Sequence, residues 1–146
     1  MIAENDDSIK LLKECDAGTK MAISSLDEVL EKVNNPDVKQ ILTESKGHHE
    51  KLRDEISDQL MRKNGEEKDP NPLAKSMSWL KTNIKIGMDD CDATVADLIT
   101  DGCDMGIKSL YRYLNQYKAA DDDSKDLCRR LITIEEQLRQ ALHPYL

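Results

Sequence analysis

The segment Cys15-Asp16-Ala17-Gly18-Thr19-Lys20 occurs a second time, 88 positions later, as Cys103-Asp104-Met105-Gly106-Ile107-Lys108. A second stretch matches at an offset of 86 positions, and its matched pairs include Asp37 with Asp123, Glu50 with Glu136 and Leu52 with Leu138. The repeated unit covers about 45 residues, with a joining loop that is two residues shorter in the second copy. We therefore interpret the chain as a duplication of one unit.

Apolar residues recur at intervals of three and four in both copies, which is the spacing of one helix face. Within each copy this predicts two helices joined by a loop so short that they lie antiparallel. Helix starts are indicated by Asn34-Asn35-Pro36 in the first copy and by the acidic run Asp121-Asp122-Asp123 in the second. The predicted helices cover 8–33, 36–63, 89–117 and 122–143, which makes two hairpins of about 5–63 and 89–146.

Residues 64–88 separate the two predicted hairpins. Their first part, up to Pro72, has two prolines and no apolar residue, which predicts a linker. Asn71-Pro72 then resembles a helix start, and the following apolar stripe contains Trp79 and Leu80 and ends at Gly87. We expect a short helix that spans the bundle, with a dimer or partner surface as its alternative role.

Length and composition favour one all-α domain over residues 1–146. Apolar residues make up 38 % and charged residues 34 % of the chain, as expected for helices with one narrow apolar stripe each. A net charge of -8 repels phosphate backbones and anionic lipid, so we expect neither nucleic-acid nor membrane partners. The acidic segment Met1–Ser8 is unlike a secretory signal, and this predicts a cytoplasmic protein.

Gly18 and Gly106 interrupt otherwise strong helical patterns, each at a cost of about 1 kcal/mol relative to Ala. Because glycine permits close backbone approach, we expect the first and third helices to come near each other, or another helix, at these positions.

A polar set on the apolar stripes is the candidate site. Asp16 and Asp104 occupy equivalent places on the first and third helices. On the second helix His49 lies on the stripe with Glu44 beside it, and the repeat aligns His49 with Glu135 of the fourth. Convergence of such carboxylates and an imidazole in mid-bundle predicts either a metal site or a hydrogen-bonded polar layer that sets helix register. The candidate ligands are Asp16, Glu44, His49, Asp104 and Glu135.

The pattern of these residues is an incomplete di-metal motif. In ferritin-like di-metal bundles two helices supply a carboxylate each and the other two supply a Glu-x-x-His pair each. Here Lys46 precedes His49 by three, Ser45 precedes His48 by three, and no His accompanies Glu135. We therefore expect no cofactor, with iron, manganese or zinc as the alternative.

The cysteines show no spacing typical of a zinc site or a disulfide framework. Cys15, Cys103 and Cys128 lie on or beside apolar helical positions, which favours simple packing. A redox sensor built on Cys15 and Cys103 would instead require exposed thiols of lowered pKa. No nucleophile elbow or phosphate loop is present either, so we do not expect an enzyme.

Three motifs in their order resemble those of bacterial ferritin-like four-helix bundles, a family known mainly as a domain of unknown function. They are Leu11–Gly18, Lys32–Lys39 around the first turn, and Ser78-Trp79-Leu80-Lys81 before the second hairpin. The resemblance covers nearly the whole chain. It implies a ferritin-like fold of two tandem hairpins with a short extra helix in the crossover connection, and it implies little chemistry.

These observations favour a non-enzymatic helical bundle that acts as a homo-oligomer or by binding a protein partner. The alternative is a divergent metal-binding bundle with its site in the core.

Overall fold

A computed structural model describes residues 2–65 and 91–146. Every regular element in these two ranges is helical, so the all-α prediction is confirmed for them. The predicted linker and the short helix with Trp79 lie outside the described residues. The elements are α1 (Ile2–Leu30), α2 (Pro36–Arg62), α3 (Cys91–Gln116), α4 (Asp122–Leu142) and a short 3-10 turn (His143–Tyr145).

The first helix differs most from its predicted range. It begins at Ile2 instead of Ser8, in a polar stretch that has no apolar period but contains Glu4 in the first turn, where a carboxylate favours a helix amino terminus. It also ends at Leu30, earlier than predicted. Val33 is nevertheless buried, because the turn between α1 and α2 folds over the end of the core.

The predicted helix starts of α2 and α4 are confirmed. The Asn35 side chain accepts hydrogen bonds from the amides of Asp37 and Val38, and Pro36 occupies the first helical position. The Asp121 side chain accepts a 2.8 Å hydrogen bond from the Ser124 amide. These bonds satisfy amides that have no partner within their own helix.

The interior consists of two apolar clusters, one toward each end of the helices. Leu26 and Val29 of α1 share a cluster with the amino-terminal parts of α2 and α3 and the carboxyl-terminal part of α4. Leu11 and Leu12 share the other with the carboxyl-terminal parts of α2 and α3 and the start of α4. Hence α1 and α4 run in one direction, and α2 and α3 run in the other. The end of α2 and the start of α3 therefore lie at opposite ends of the molecule.

The four helices do not all pack against one another to the same extent. Around the perimeter the order is α1, α2, α4, α3, and α1 also packs against α4 across the interior. The other diagonal pair, α2 and α3, makes hardly any contact. The cross-section is therefore a rhombus with α1 and α4 on its short diagonal, and this skew decides which polar residues are buried.

Each interhelical turn is hydrogen-bonded by the amino-terminal part of a helix from the other half of the chain. Asp92 in the first turn of α3 accepts hydrogen bonds from the amides of Asn34 (2.8 Å) and Asn35 (3.2 Å). At the opposite end, Asp7 accepts one from the Ala119 amide, and the Ser8 hydroxyl accepts one from the Asp121 amide. These bonds tie the two halves of the sequence together at both ends.

Gly18 and Gly106, at which a close helix approach was expected, both face side chains of α4. A Cβ built on Gly18 would lie 4.0 Å from Leu131 Cδ2, and one on Gly106 would lie 3.8 Å from Glu135 Oε2. Both are ordinary contact distances, so neither site excludes a methyl group.

Candidate functional site

The centre of the candidate site is a contact between His49 of α2 and Glu135 of α4. The Nε2 atom of His49 lies 2.9 Å from Glu135 Oε1. His49 is fully buried and Glu135 is only 9 % exposed. The two residues occupy equivalent positions of the sequence repeat, so the contact forms where the two halves of the chain meet.

The second ring nitrogen of His49 also has a partner inside the protein. Nδ1 lies 2.8 Å from the carbonyl oxygen of Ser45, one helical turn earlier, and 3.4 Å from the Ser45 hydroxyl. Polar atoms on both sides of the buried ring are therefore within hydrogen-bond distance of a partner, which limits the cost of removing the ring from water.

A third helix reaches the pair through Cys103 of α3, whose thiol lies beside Glu135. Burial, together with the negative charge of Glu135 and a hydrogen bond to it, raises the pKa of the Cys103 thiol. Nucleophilic catalysis by cysteine requires the opposite arrangement, with a histidine adjacent to the thiol to lower its pKa. Here the carboxylate lies between thiol and imidazole, so Cys103 is held as a neutral thiol.

Asp16 is also buried, as predicted, and it forms an ion pair with a residue of its own helix. Its Oδ2 atom lies 3.0 Å from Lys20 Nζ, with Lys20 partly exposed. The neighbouring Thr19 hydroxyl bonds back to the carbonyls of Cys15 (3.1 Å) and Asp16 (2.9 Å). This side of α1 is thus a polar strip inside the molecule.

Asp104 and Glu44 do not reach the interior, which corrects the prediction that the carboxylates converge. The Asp104 side chain is 58 % exposed and accepts a 2.8 Å bond from Arg139 of α4. Glu44 is exposed and accepts a bond from Gln40. Asp104 is exposed because the cross-section of the bundle is skewed. Since α3 lies on the long diagonal, its matching carboxylate falls at the rim of the interior instead of inside it.

The donor set that remains does not fit a di-metal centre. Among the residues that the structure describes, no group of three or more His, Cys, Asp or Glu side chains is placed to hold a metal ion. Lys46, which stands at a ligand position of the di-metal motif, is instead directed to Asp27 of α1 in an ion pair.

Polar links join α2 to α4 along much of their length. The central one is His49 with Glu135. Toward the far end of α2, Glu55 and Arg130 form a two-pronged ion pair with distances of 3.0 and 2.6 Å. At the end itself Lys63 pairs with Asp121. Although partial burial opposes ionisation, hydrogen bonds from Lys63 and Ser124 hold the pKa of Asp121 at about 2.

All three cysteines whose side chains are described are buried, which agrees with the packing prediction. A redox sensor built on Cys15 and Cys103 would require exposed thiols, and both of these thiols are buried. Cys103 has the raised pKa described above. A hydrogen bond to Cys128, followed by burial, also raises the pKa of Cys15.

Two contacts at the site were missed by the sequence analysis. The Ser45 carbonyl orients His49, and the four-residue spacing of Ser45 and His49 on one stripe was the available signal. The shared apolar cluster of Cys15 and Cys128 had no local signal, because it depends on how α1 packs against α4.

No helix in 2–65 or 91–146 combines the length and apolar character that a membrane span requires. Comparisons of the chain with protein-family models, curated proteins and solved structures found no match.

Proposed function

We propose that this chain is a non-enzymatic, ferritin-like bundle of two tandem helical hairpins that acts through its surface, by self-association. The observation that carries the proposal is the His49–Glu135 contact. Both ring nitrogens of His49 are engaged within the protein, by Ser45 and Glu135. A buried group with all its hydrogen bonds made internally contributes to helix register and leaves no position for a substrate.

The surface crevices support the same proposal. Two crevices on the described surface are lined mainly by charged side chains, and one of them includes Glu4 and the run Asp121–Asp123. Small-molecule sites are usually concave and mostly apolar, with a few placed polar groups. Neither crevice has this character.

Helix α3 offers the surface for self-association. It corresponds to α1 in the sequence repeat, but it lies on the long diagonal of the bundle. Its exposed apolar side chains are Met105 (69 %) and Tyr111 (52 %). Covering large exposed apolar side chains with a second molecule removes them from water, which favours association. We assign the contact between copies to this helix.

Light scattering after size exclusion tests the assignment on the full chain at several concentrations. We expect an oligomer that a double variant, Met105→Ser with Tyr111→Ser, converts to monomer. Met61→Ser is the matched control, because Met61 is 72 % exposed on α2 and its loss should leave the oligomer intact. A wild-type chain that stays monomeric throughout would refute self-association.

A metal-binding role is the competing function, favoured by one observation: the imidazole of His49 and the carboxylate of Glu135 are adjacent in the interior. Metal content measured by mass spectrometry, before and after incubation with Fe(II), Mn(II) or Zn(II), separates the two functions. We expect no stoichiometric metal in wild type. Stoichiometric metal that is lost in His49→Ala would overturn the non-metal proposal.

A further inference from the structure

The solvent-exposed face of α3 carries a charge pattern that is complementary to its own reverse. Asp97, Asp101, Met105, Lys108 and Arg112 follow one another at spacings of four, four, three and four residues, so they form one stripe along the helix. All five side chains are exposed. The stripe is therefore acidic toward the start of the helix, apolar in the middle and basic toward its end.

This order of charges is unfavourable within a single chain. Residues four apart on a helix are neighbours, and like charges at that spacing destabilise the helix. Asp97 is placed beside Asp101 in this way, and Lys108 beside Arg112. Within the described ranges none of these four side chains forms an ion pair. The repulsions are relieved by a partner that presents opposite charges in the reverse order.

The helix dipole does not account for the arrangement. It favours acidic residues at the start of a helix and basic residues at its end, but its effect is confined to about the first and last turns. The helix runs from Cys91 to Gln116, so Asp101 and Lys108 lie near its middle. A contact with another molecule is the explanation that fits charges at these positions.

A second copy of α3 supplies the reverse order when it lies antiparallel to the first. A twofold axis that crosses α3 just before Met105 places Asp101 opposite Lys108 of the second copy, about 5 Å from the axis along the helix. The same axis places Asp97 opposite Arg112 of the second copy, about 11 Å from the axis. One symmetry operation thus pairs all four charges. Twofold contacts between identical patches are the commonest kind in homo-oligomers.

We propose that the protein forms a twofold dimer through this stripe of α3, with the acidic part of one copy ion-paired to the basic part of the other. The four ion pairs surround a central contact between the two Met105 side chains. The inference rests on the proposed function, because it specifies the partner and the register of the self-association assigned to α3. At a net charge of -8 two copies repel each other in general, so complementary charges decide which faces meet.

Exchanging charges within the full chain tests the register. Asp101→Lys alone places a lysine opposite Lys108 of the second copy, and sedimentation equilibrium should show a dissociation constant raised by about tenfold or more. Adding Lys108→Asp to this variant restores opposite charges across the axis. The double variant should again form a dimer of twice the chain mass of 16.6 kDa.

Asp97→Lys with Lys108→Asp is the matched control. It has the same composition and net charge as Asp101→Lys with Lys108→Asp, and both double variants place opposite charges at neighbouring positions within the helix. Across the twofold axis, however, the control places like charges opposite each other at all four positions. We expect it to remain monomeric, with the helical circular dichroism of wild type.

The outcomes separate this inference from the proposed function. Equal association of the two double variants would overturn the register. Self-association through α3 would still stand if Met105→Ser with Tyr111→Ser dissociated the wild-type oligomer. A wild-type chain that stays monomeric at every concentration would refute the proposed function and the twofold dimer together.

Salt dependence provides a second measurement that needs no variant. Salt screens exposed ion pairs, so raising NaCl from about 0.05 M to about 0.5 M should weaken the dimer by about tenfold. An acidic protein that associates through apolar contacts alone would associate more tightly, because salt screens the repulsion between its net charges. Unchanged or tighter association at high salt would overturn the ion pairs.

Discussion

Asp16 and Asp104 occupy the same position in two matching segments, yet one side chain is fully buried and the other is 58 % exposed. Cys15 and Cys103, one residue earlier, are both buried. The local sequence therefore sets which face of each helix carries the carboxylate. The depth of the carboxylate depends on the packing, because α1 contacts α4 across the interior whereas α3 makes hardly any contact with α2.

The same comparison explains why a complementary pair forms at the centre. His49 and Glu135 are equivalent positions filled by different residue types, so they form a complementary pair where they meet. Two identical carboxylates or two imidazoles there would repel each other or leave polar atoms without partners. Divergence of the two copies thus produces a stable contact.

Breaking this contact should give the largest effect. Glu135→Ala removes the partner of a buried imidazole, and we expect a loss of about 3 kcal/mol in the free energy of unfolding. Glu136→Ala is the control, because Glu136 is exposed on the next position of α4 and should change stability by less than about 0.5 kcal/mol. Urea unfolding followed by circular dichroism measures both. Equal losses would mean that the buried pair contributes nothing specific.

A second prediction compares the equivalent helix caps Asn35 and Asp121, of which only the aspartate titrates. The pKa of Asp121 is lowered to about 2 in the folded chain, so its contribution is present above its ordinary pKa of 3.8 and is lost as pH falls through about 2. A shift of this size corresponds to about 2 kcal/mol.

The variant Asp121→Asn keeps a cap of the kind found at Asn35 but removes the charge that pairs with Lys63. We expect its free energy of unfolding to be lower at neutral pH and to vary less between pH 4 and 2 than that of wild type. Asp122→Asn, at an exposed neighbour, should leave the pH profile unchanged. If Asp121→Asn had the same pH dependence of unfolding as wild type, the ion pair with Lys63 would not be the source of that dependence.

The third prediction tests the unequal depth of the matching carboxylates directly. Asp16→Ala removes a buried group bonded to Lys20, and we expect a loss of about 1.5 kcal/mol. Asp104→Ala removes an exposed ion pair with Arg139, for which a loss of about 0.5 kcal/mol or less is typical. Unfolding in urea under identical conditions gives both values. A larger loss of stability for Asp104→Ala than for Asp16→Ala would contradict the conclusion that Asp16 is the more deeply buried carboxylate.

The smallest expected effects are gains at the two glycines. Gly18→Ala introduces a methyl group at an ordinary distance from Leu131 and should stabilise the chain by about 0.5–1 kcal/mol through helix propensity. Gly106→Ala should gain less, because its methyl group lies against the Glu135 carboxylate. Thermal and urea unfolding measure both. Destabilisation at Gly18 would indicate a closer helix approach than the structure has.

Local features of the fold were predictable because they depend on neighbours in the chain. The helix stripes, the Asn35 and Asp121 caps and the burial of His49 all follow from spacing within one turn. Alignment of the repeat also placed Glu135 opposite His49. The early start of α1 was not predicted, because its first turns are mostly polar and show no regular spacing of apolar residues.

By itself, the sequence determined an all-helical chain in two matching halves, the face of each helix that is buried, and the residues able to form a polar layer. Only the tertiary structure decided that Asp16 is enclosed while Asp104 is exposed, and that Cys15 and Cys128 belong to one apolar cluster. Periodicity reports the direction of a side chain around its helix axis. Its depth depends on the distance to the other helices, and that distance is set by the packing of the whole core.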